Sequence, residues 1–235
     1  MEHLQKIPIK GFIETSFVDW HSKICSVIFF PRCNFRCRYC HNADLVLHPD
    51  ALENVGFDTI TKRLAELKGW VDGVCVTGGE PTLSPHLSDV LAAVKKQGFL
   101  TKLDTNGSNP ERLQHLIQDG LVDYVAMDIK SSLDERSYCR ITQTPNMLES
   151  VKKSIRILLS GQVEHEFRCT VLPSFHGAED IYRIAQELNG AARLRIQNFN
   201  PSSTILDQSL CSLQPYSDED ITIIQARVDE LISMH

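Results

Sequence analysis

The chain predicts an α/β fold, a partial, open (β/α)6 TIM-like barrel, and three observations carry that expectation. Short β-branched apolar runs alternate with longer segments of helical period. Glycines such as Gly98, Gly120 and Gly190 follow those segments in the manner of C-terminal caps. The alternation then recurs along the chain at a spacing that calls for parallel strands joined by right-handed crossovers. A closed barrel takes eight such units and about 250 residues. The 235 residues here hold six recognisable ones, so the barrel is expected to remain open.

Residues 24–30 (ICSVIFF) read as a buried strand that feeds directly into a cysteine-rich segment. A helix is expected over 57–68, a second strand over 73–77 (GVCVT) and a helix over 86–97. The third strand is 99–104, followed by a helix over 110–118. The fourth is 122–129 (VDYVAMDI), followed by a helix over 148–159. A fifth strand over 165–172 precedes a helix over 178–188, and 194–199 is the sixth strand. Ser217 and Asp218, residue types that cap helix N-termini, open a tail helix over 218–234. No linker, repeat or low-complexity stretch interrupts this order. Only 37 residues separate Cys40 from Gly78, too few for a ferredoxin-like insert, so a single domain over 1–235 is expected.

Composition narrows the function classes. A hydrophobic content of 42% with 23% charged residues is that of an ordinary globular protein. The net charge of -6 argues against nucleic-acid binding, which favours basic surfaces. No apolar run approaches the roughly 20 residues of a membrane span. The first residues, MEHLQKIPIKGF, lack the apolar core of a secretory signal. Eight cysteines without a regular disulfide spacing suggest reduced thiols and a cytoplasmic setting.

Cys33, Cys37 and Cys40 stand in eight positions, and the next cysteine, Cys75, lies 35 residues on. Four thiolates would close a zinc site or saturate a ferredoxin-type cluster. Three on a four-iron cubane leave one iron open to a substrate or cofactor. A zinc knuckle would need His41 as its fourth ligand. Simple burial as small apolar residues suits Cys25, Cys75, Cys139 and Cys169 better than this trio, which is interleaved with Arg32, Arg36 and Arg38. Those arginines would offset a cluster's negative charge. Cys211, in a polar tail, reads as a spare thiol, and His86, His115, His165 and His176 as solvated or loop residues.

The segment CNFRCRYCHN resembles the cluster loop of radical S-adenosylmethionine enzymes, C-x3-C-x-aromatic-C, with Tyr39 as the aromatic. Its trailing His41-Asn42 resembles in particular the activating enzymes of glycyl-radical proteins. The resemblance implies a radical SAM type of partial barrel, with a [4Fe-4S] cluster on Cys33, Cys37 and Cys40. S-adenosyl-L-methionine would chelate the open iron. Reduction by a flavodoxin or ferredoxin would cleave that cofactor to methionine and a 5′-deoxyadenosyl radical, which takes a hydrogen atom from its target.

The remaining polar motifs fall at predicted strand ends, where such folds gather their chemistry. Thr77-Gly78-Gly79-Glu80-Pro81 follows the second strand, and its glycines let backbone approach a ligand closely. It resembles the family's motif for the cofactor amino group, which backbone carbonyls and the Glu80 carboxylate can hold. Asp104-Thr105-Asn106-Gly107 is an Asn-Gly turn signal by itself. It also resembles the segment that faces the cofactor, placing Asp104, Thr105 and Asn106 there. Met127-Asp128-Ile129-Lys130 offers either a capping ion pair or, by the resemblance, catalytic groups Asp128 and Lys130 beside cofactor and substrate glycine. Asp104, Thr105, Met127 and Asp128 could further hold a monovalent cation. An inward Arg168 needs a counter-charge, either a structural partner or the cofactor carboxylate. Asn198, in the polar run 197–201, resembles the adenine-side segment. The pattern departs at Asn200, where some relatives have His nearby, and at His21-Ser22, where they often have Pro-Gly.

The implied target is the backbone glycine of a partner glycyl-radical enzyme. The short form that activates anaerobic ribonucleoside-triphosphate reductase is resembled most, through GFIETSFVDW and the cysteine loop. A small-molecule radical enzyme like 7-carboxy-7-deazaguanine synthase is the rival, and a non-catalytic iron–sulfur or zinc module the remaining alternative.

Overall fold

The computed structural model describes residues 7–201 and 204–233. The first six residues of the N-terminal segment and Met234, the last position of the expected tail helix, lie outside them. Seven strands form a sheet whose order follows the chain: β1 Gly11–Ser16, β2 Cys25–Phe30, β3 Gly73–Gly78, β4 Leu100–Thr105, β5 Tyr124–Asp128, β6 Glu164–Val171 and β7 Leu194–Asn198. β1 and β7 are not neighbours in that order, so the sheet does not close. β2, β3 and β4 pair in parallel, as do β6 and β7.

β1 is an addition to the expected set. It runs antiparallel to β2, with its register broken between Ile13 and Ser16. Ile13, Glu14 and Thr15 are exposed, so this edge strand lacks the apolar alternation that marks a strand in sequence. Two helices were also unexpected, α1 (Ala43–Leu47) and α5 (Glu135–Thr142). The first is a single turn and a half. The second, ERSYCRIT, is mostly polar and is started by the Asp134 carboxylate, which accepts from Ser137 N at 2.9 Å.

The remaining helices are α2 (Phe57–Glu66), α3 (Leu87–Lys96), α4 (Pro110–Gln118), α6 (Leu148–Leu159), α7 (Ala178–Glu187) and α8 (Asp218–Ser233). α3 buries Leu87, Val90, Leu91 and Val94, and α6 buries Leu148, Val151, Ile155 and Leu158. Each such side chain contributes about 1.5–3 kcal/mol of burial. Ser217 Oγ accepts from Asp220 N at 3.0 Å, and Asp220 Oδ2 accepts from Ser217 N at 3.2 Å, a reciprocal cap on α8. Gln225 on α8 accepts from Ile196 N at 2.8 Å and donates to Leu194 O at 2.9 Å, both on β7. No helix among the described residues is long and apolar enough to cross a membrane.

The chain divides into two compact units. The first holds 7–33, Asp44–Thr105 and Glu111–Val125, with β2, β3, β4, α2 and α3 around Val27, Ile28, Phe30, Val74, Val76, Leu64 and Leu103. Trp20, Cys25, Val27 and Cys75 form a buried cluster within it. Ser22, one of the two positions where the pattern departs from relatives, adopts the left-handed conformation with φ 60°, which favours glycine. The second unit holds Asn34–Ala43, Asn106–Pro110 and the described residues from 126 on. Tyr39, Ile141, Leu172, Phe199, Ile205 and Leu210 form an apolar cluster there, with Cys211 packed against it.

Candidate functional site

In the first unit, β3 ends in the Gly78-Gly79 pair, and the neighbour it approaches is the chain that leaves β2. Gly79 N donates to Phe30 O and Glu80 N to Arg32 O, each at 2.8 Å. A Cβ on Gly79 would lie 1.8 Å from Arg32 O, and one on Gly78, whose φ is +117°, 2.3 Å from Phe30 O. The glycines therefore serve first to seat β3 against the backbone that opens the cysteine loop. Arg32 itself adopts φ 68°, its N–H donating to Leu45 O at 2.8 Å.

Glu80 is almost wholly buried. Its Oε1 accepts from Thr82 N, Thr82 Oγ1 and Thr105 Oγ1 at 3.1, 2.6 and 2.8 Å, which couples the β3 end to the β4 end. Asp104 Oδ1 accepts from Lys102 Nζ at 2.5 Å. Lys102 was not anticipated as a partner, although a lysine two residues before an aspartate on one strand places both on the same face.

The second unit carries the greater part of the cysteine loop. Arg36 N and Arg38 N donate to Thr142 O and Ile141 O, and Leu206 N and Asp207 N to Cys40 O and Arg38 O. Cys40 N donates to Cys37 O at 2.9 Å, a turn that carries both thiols. Asn34 Nδ2 donates to Ser108 Oγ at 2.8 Å, and Asn106 Nδ2 to Asn34 Oδ1 at 3.0 Å, so the asparagine of the β4-end motif braces the loop.

The loop arginines are not arranged as expected. Arg38 donates to Asp207 through Nε at 2.7 Å and Nη2 at 2.6 Å while lying over the Phe175 ring, and Arg32 pairs with Asp50 at the surface. The cation beside the thiols is Lys130, with Arg36 acting more weakly on Cys40. Burial pushes the Cys37 thiol up to about 11 and raises Cys40, while Lys130 pulls both the other way.

Lys130 Nζ stands 5.9 Å from the centroid of the Tyr39 ring and donates to Asp128 Oδ2 at 2.9 Å. Asp128 Oδ1 accepts from Arg168 Nε at 2.9 Å, so Arg168 finds its counter-charge within the chain. Burial works to raise Asp128, but Arg168 and Lys130 outweigh it and hold the carboxyl at about 2. Burial works to lower Lys130, but Asp128, together with Tyr39 and Cys37, outweighs it and holds that ammonium well above its usual range.

His176, expected on a solvated or loop position, sits in a loop but is fully buried. Its Nδ1 accepts from Leu172 N at 3.2 Å, which leaves Nε2–H to donate to Lys130 O at 2.9 Å. Tyr216 Oη donates to His176 O at 2.5 Å, and Asn198 Nδ2 to Tyr216 O at 2.7 Å. Asn198 thus joins the site through this chain, with its Oδ1 buried and unbonded. The hydroxyls of Tyr39 and Tyr138 are also buried without a hydrogen-bond partner.

The donor chemistry fits an iron–sulfur cluster. All eight cysteines are outside disulfides, Cys33 and Cys40 are half-buried, and a cation offsets thiolate charge at Cys37. Among the described residues no three or more His, Cys, Asp or Glu side chains are gathered as ligands around one point. The orphaned polar atoms of Tyr39 and Asn198 fit a polar ligand in the second unit.

Comparison with known proteins adds the family. The Radical SAM superfamily profile matches residues 27–188. A Methanocaldococcus jannaschii protein provisionally named a glycyl-radical enzyme activating enzyme is 31% identical over 199 residues, 83% of this chain and 81% of its own length. The pyruvate formate-lyase-activating enzyme of Clostridium pasteurianum is 34% identical over 126 residues, 49% of this chain and 50% of its own. The 7-carboxy-7-deazaguanine synthase of Neisseria meningitidis is 29% identical over 133 residues, 56% of this chain and 52% of its own. The chain therefore spans most of the first relative and about half of the other two. In fold, Streptococcus suis SuiB bound to S-adenosylmethionine matches with a TM-score of 0.66 over 88% of this chain and 49% of that one, at 15% identity.

Proposed function

The chain belongs to the radical SAM superfamily, and on that premise we propose that it is an activase that takes a hydrogen atom from a backbone glycine of a partner glycyl-radical enzyme. The observation that carries this reading is the similarity to the Methanocaldococcus jannaschii protein over more than four fifths of both chains. Within the proposal, Cys33, Cys37 and Cys40 hold a [4Fe-4S] cluster. Gly78, Gly79 and Glu80 meet the amino group of S-adenosylmethionine, and Tyr39, Asp104, Thr105, Asn106 and Asn198 complete its surroundings. The bound cluster and cofactor supply one-electron reductive cleavage and the radical that abstracts hydrogen.

The chain's own residues position and shield. Asp128, Lys130 and Arg168 together carry one surplus positive charge, which suits a carboxylate ligand. Lys130, held at Nζ by Asp128 and at its carbonyl by His176, keeps that charge fixed beside the cysteine loop. No acid–base pair is required, because a hydrogen atom rather than a proton is moved. The finer reading is an anaerobic ribonucleoside-triphosphate reductase as partner, a flavodoxin or ferredoxin as donor, and the cytoplasm as the setting.

The test is anaerobic reconstitution with iron and sulfide, then dithionite reduction with S-adenosylmethionine and candidate partners. Formation of 5′-deoxyadenosine with a glycyl doublet in the partner's paramagnetic resonance spectrum is expected. Cleavage without that doublet moves the assignment to a small-molecule substrate, which the synthase relative supports. Cys37→Ala should abolish both cluster absorbance and cleavage, and full activity in that variant would refute the scheme.

A further inference from the structure

Lys102 lies in the middle of β4 and is fully buried. An ammonium has three donors, and Lys102 places them on three acceptors: Asp104 Oδ1 at 2.5 Å, Asp19 O at 2.7 Å and Cys75 Sγ at 3.8 Å. Asp19 is fixed in turn, its Oδ2 accepting from Ser16 Oγ at 2.5 Å while Ser16 Oγ accepts from Asp19 N at 3.3 Å. Burying a charge is tolerated only where it is paired and bonded in this way.

This arrangement disagrees with a metal cation at Asp104, Thr105, Met127 and Asp128. Within the first unit, Asp104 is already neutralised by the Lys102 ammonium. Within the second, Asp128 is shared by Lys130 and Arg168, which leaves a surplus of one positive charge. A sodium or potassium ion would join carboxylates whose charge is spent and would compete with ammonium contacts of 2.5 and 2.9 Å. We infer that Lys102 is a built-in counter-cation, and that this chain binds S-adenosylmethionine without a monovalent metal ion. The inference rests on the activase reading for its cofactor, but its charge argument stands on the ion pairs of Asp104 and Asp128.

The cluster-loaded full chain is compared in sodium, potassium and tetramethylammonium chloride at equal ionic strength. The dissociation constant for S-adenosylmethionine, by anaerobic equilibrium dialysis, should agree within about twofold across the three salts, and the thermal midpoint should show no shift specific to sodium or potassium. A weakening of about tenfold or more in tetramethylammonium, or a midpoint raised specifically by sodium or potassium, would overturn the inference. Lys102→Met should lower the midpoint and make it sensitive to sodium or potassium, whereas a wild-type midpoint in that variant counts against the role. If the variant does not fold, the wild-type salt comparison decides alone. Absence of cofactor binding in every salt would instead sink the activase reading, with the midpoints still deciding the role of Lys102.

Discussion

Each unit carries a lysine and an aspartate two residues apart, one pair within β4 and the other at the end of β5, and the two pairs are built in opposite ways. In the first, Lys102 precedes Asp104, and the two side chains are 0% and 10% exposed. In the second, Asp128 precedes Lys130, with exposures of 29% and 13%, and Arg168 makes it a triad. The first pair is neutral and closed on the protein's own backbone and thiol. The second keeps a positive surplus and a partly exposed carboxylate. The same local spacing thus yields a sealed brace in one place and a charged, accessible group in the other. What separates them is the number of cations around each aspartate.

That contrast can be broken by substitution, beginning where the effect is greatest. Lys102→Met leaves the Asp104 carboxylate buried without its ammonium, and should lower unfolding free energy in urea by about 3–5 kcal/mol. Asp128→Asn should cost roughly 2 kcal/mol near neutral pH, the equivalent of lowering a carboxyl from 3.8 to about 2. The folded value lies below the ordinary one, so this stabilisation is full above about pH 4 and is lost as pH falls through about 2. The gap between wild type and Asp128→Asn should accordingly narrow when the unfolding titration is repeated near pH 3. A constant gap would show that Asp128 is not held by its cations.

His176→Phe keeps a ring in place but strips the partners from Leu172 N and Lys130 O, at a cost of about 1–3 kcal/mol. If the brace matters to the charged triad, cofactor affinity should fall with stability in that variant, while His176→Phe with unchanged affinity would confine the residue to folding. At the small end, Arg63 pairs with Glu14 and Glu66 on the surface, and Arg63→Gln should leave the melting temperature unchanged. A clear drop there would mean that exposed pairs count for more than the buried contrast implies.

The strand–helix alternation was legible because each buried strand and amphipathic helix prints its own period. The expected bounds of α4 and α6 coincide with Pro110–Gln118 and Leu148–Leu159. β1 was missed because an edge strand with three successive exposed residues lacks that period, and α5 because it is short and mostly polar, with the Asp134 cap at its start and a buried face of only Tyr138, Ile141 and Thr142. The strand-end motifs were legible as chemistry, but their partners were not. Sequence leaves Arg168 between a structural partner and a cofactor carboxylate, whereas the fold supplies Asp128 across 40 positions. His176 carries no motif, and only the fold brings it to the carbonyl of Lys130. Lys102 left a weak trace, a cation inside the short strand LTKLDT, which becomes meaningful once Asp104 is seen on the same face.

Gln225 has a consequence for solubility. The last strand of an open sheet offers unsatisfied amide groups to any passing chain, a template for edge-to-edge aggregation. The carboxamide of Gln225 answers one donor and one acceptor of β7 as an eighth strand would, without the length that would let another strand follow. A single side chain thereby acts as a counterfeit peptide group, and at Leu194 and Ile196 the edge has no donor or acceptor left to offer through those two groups.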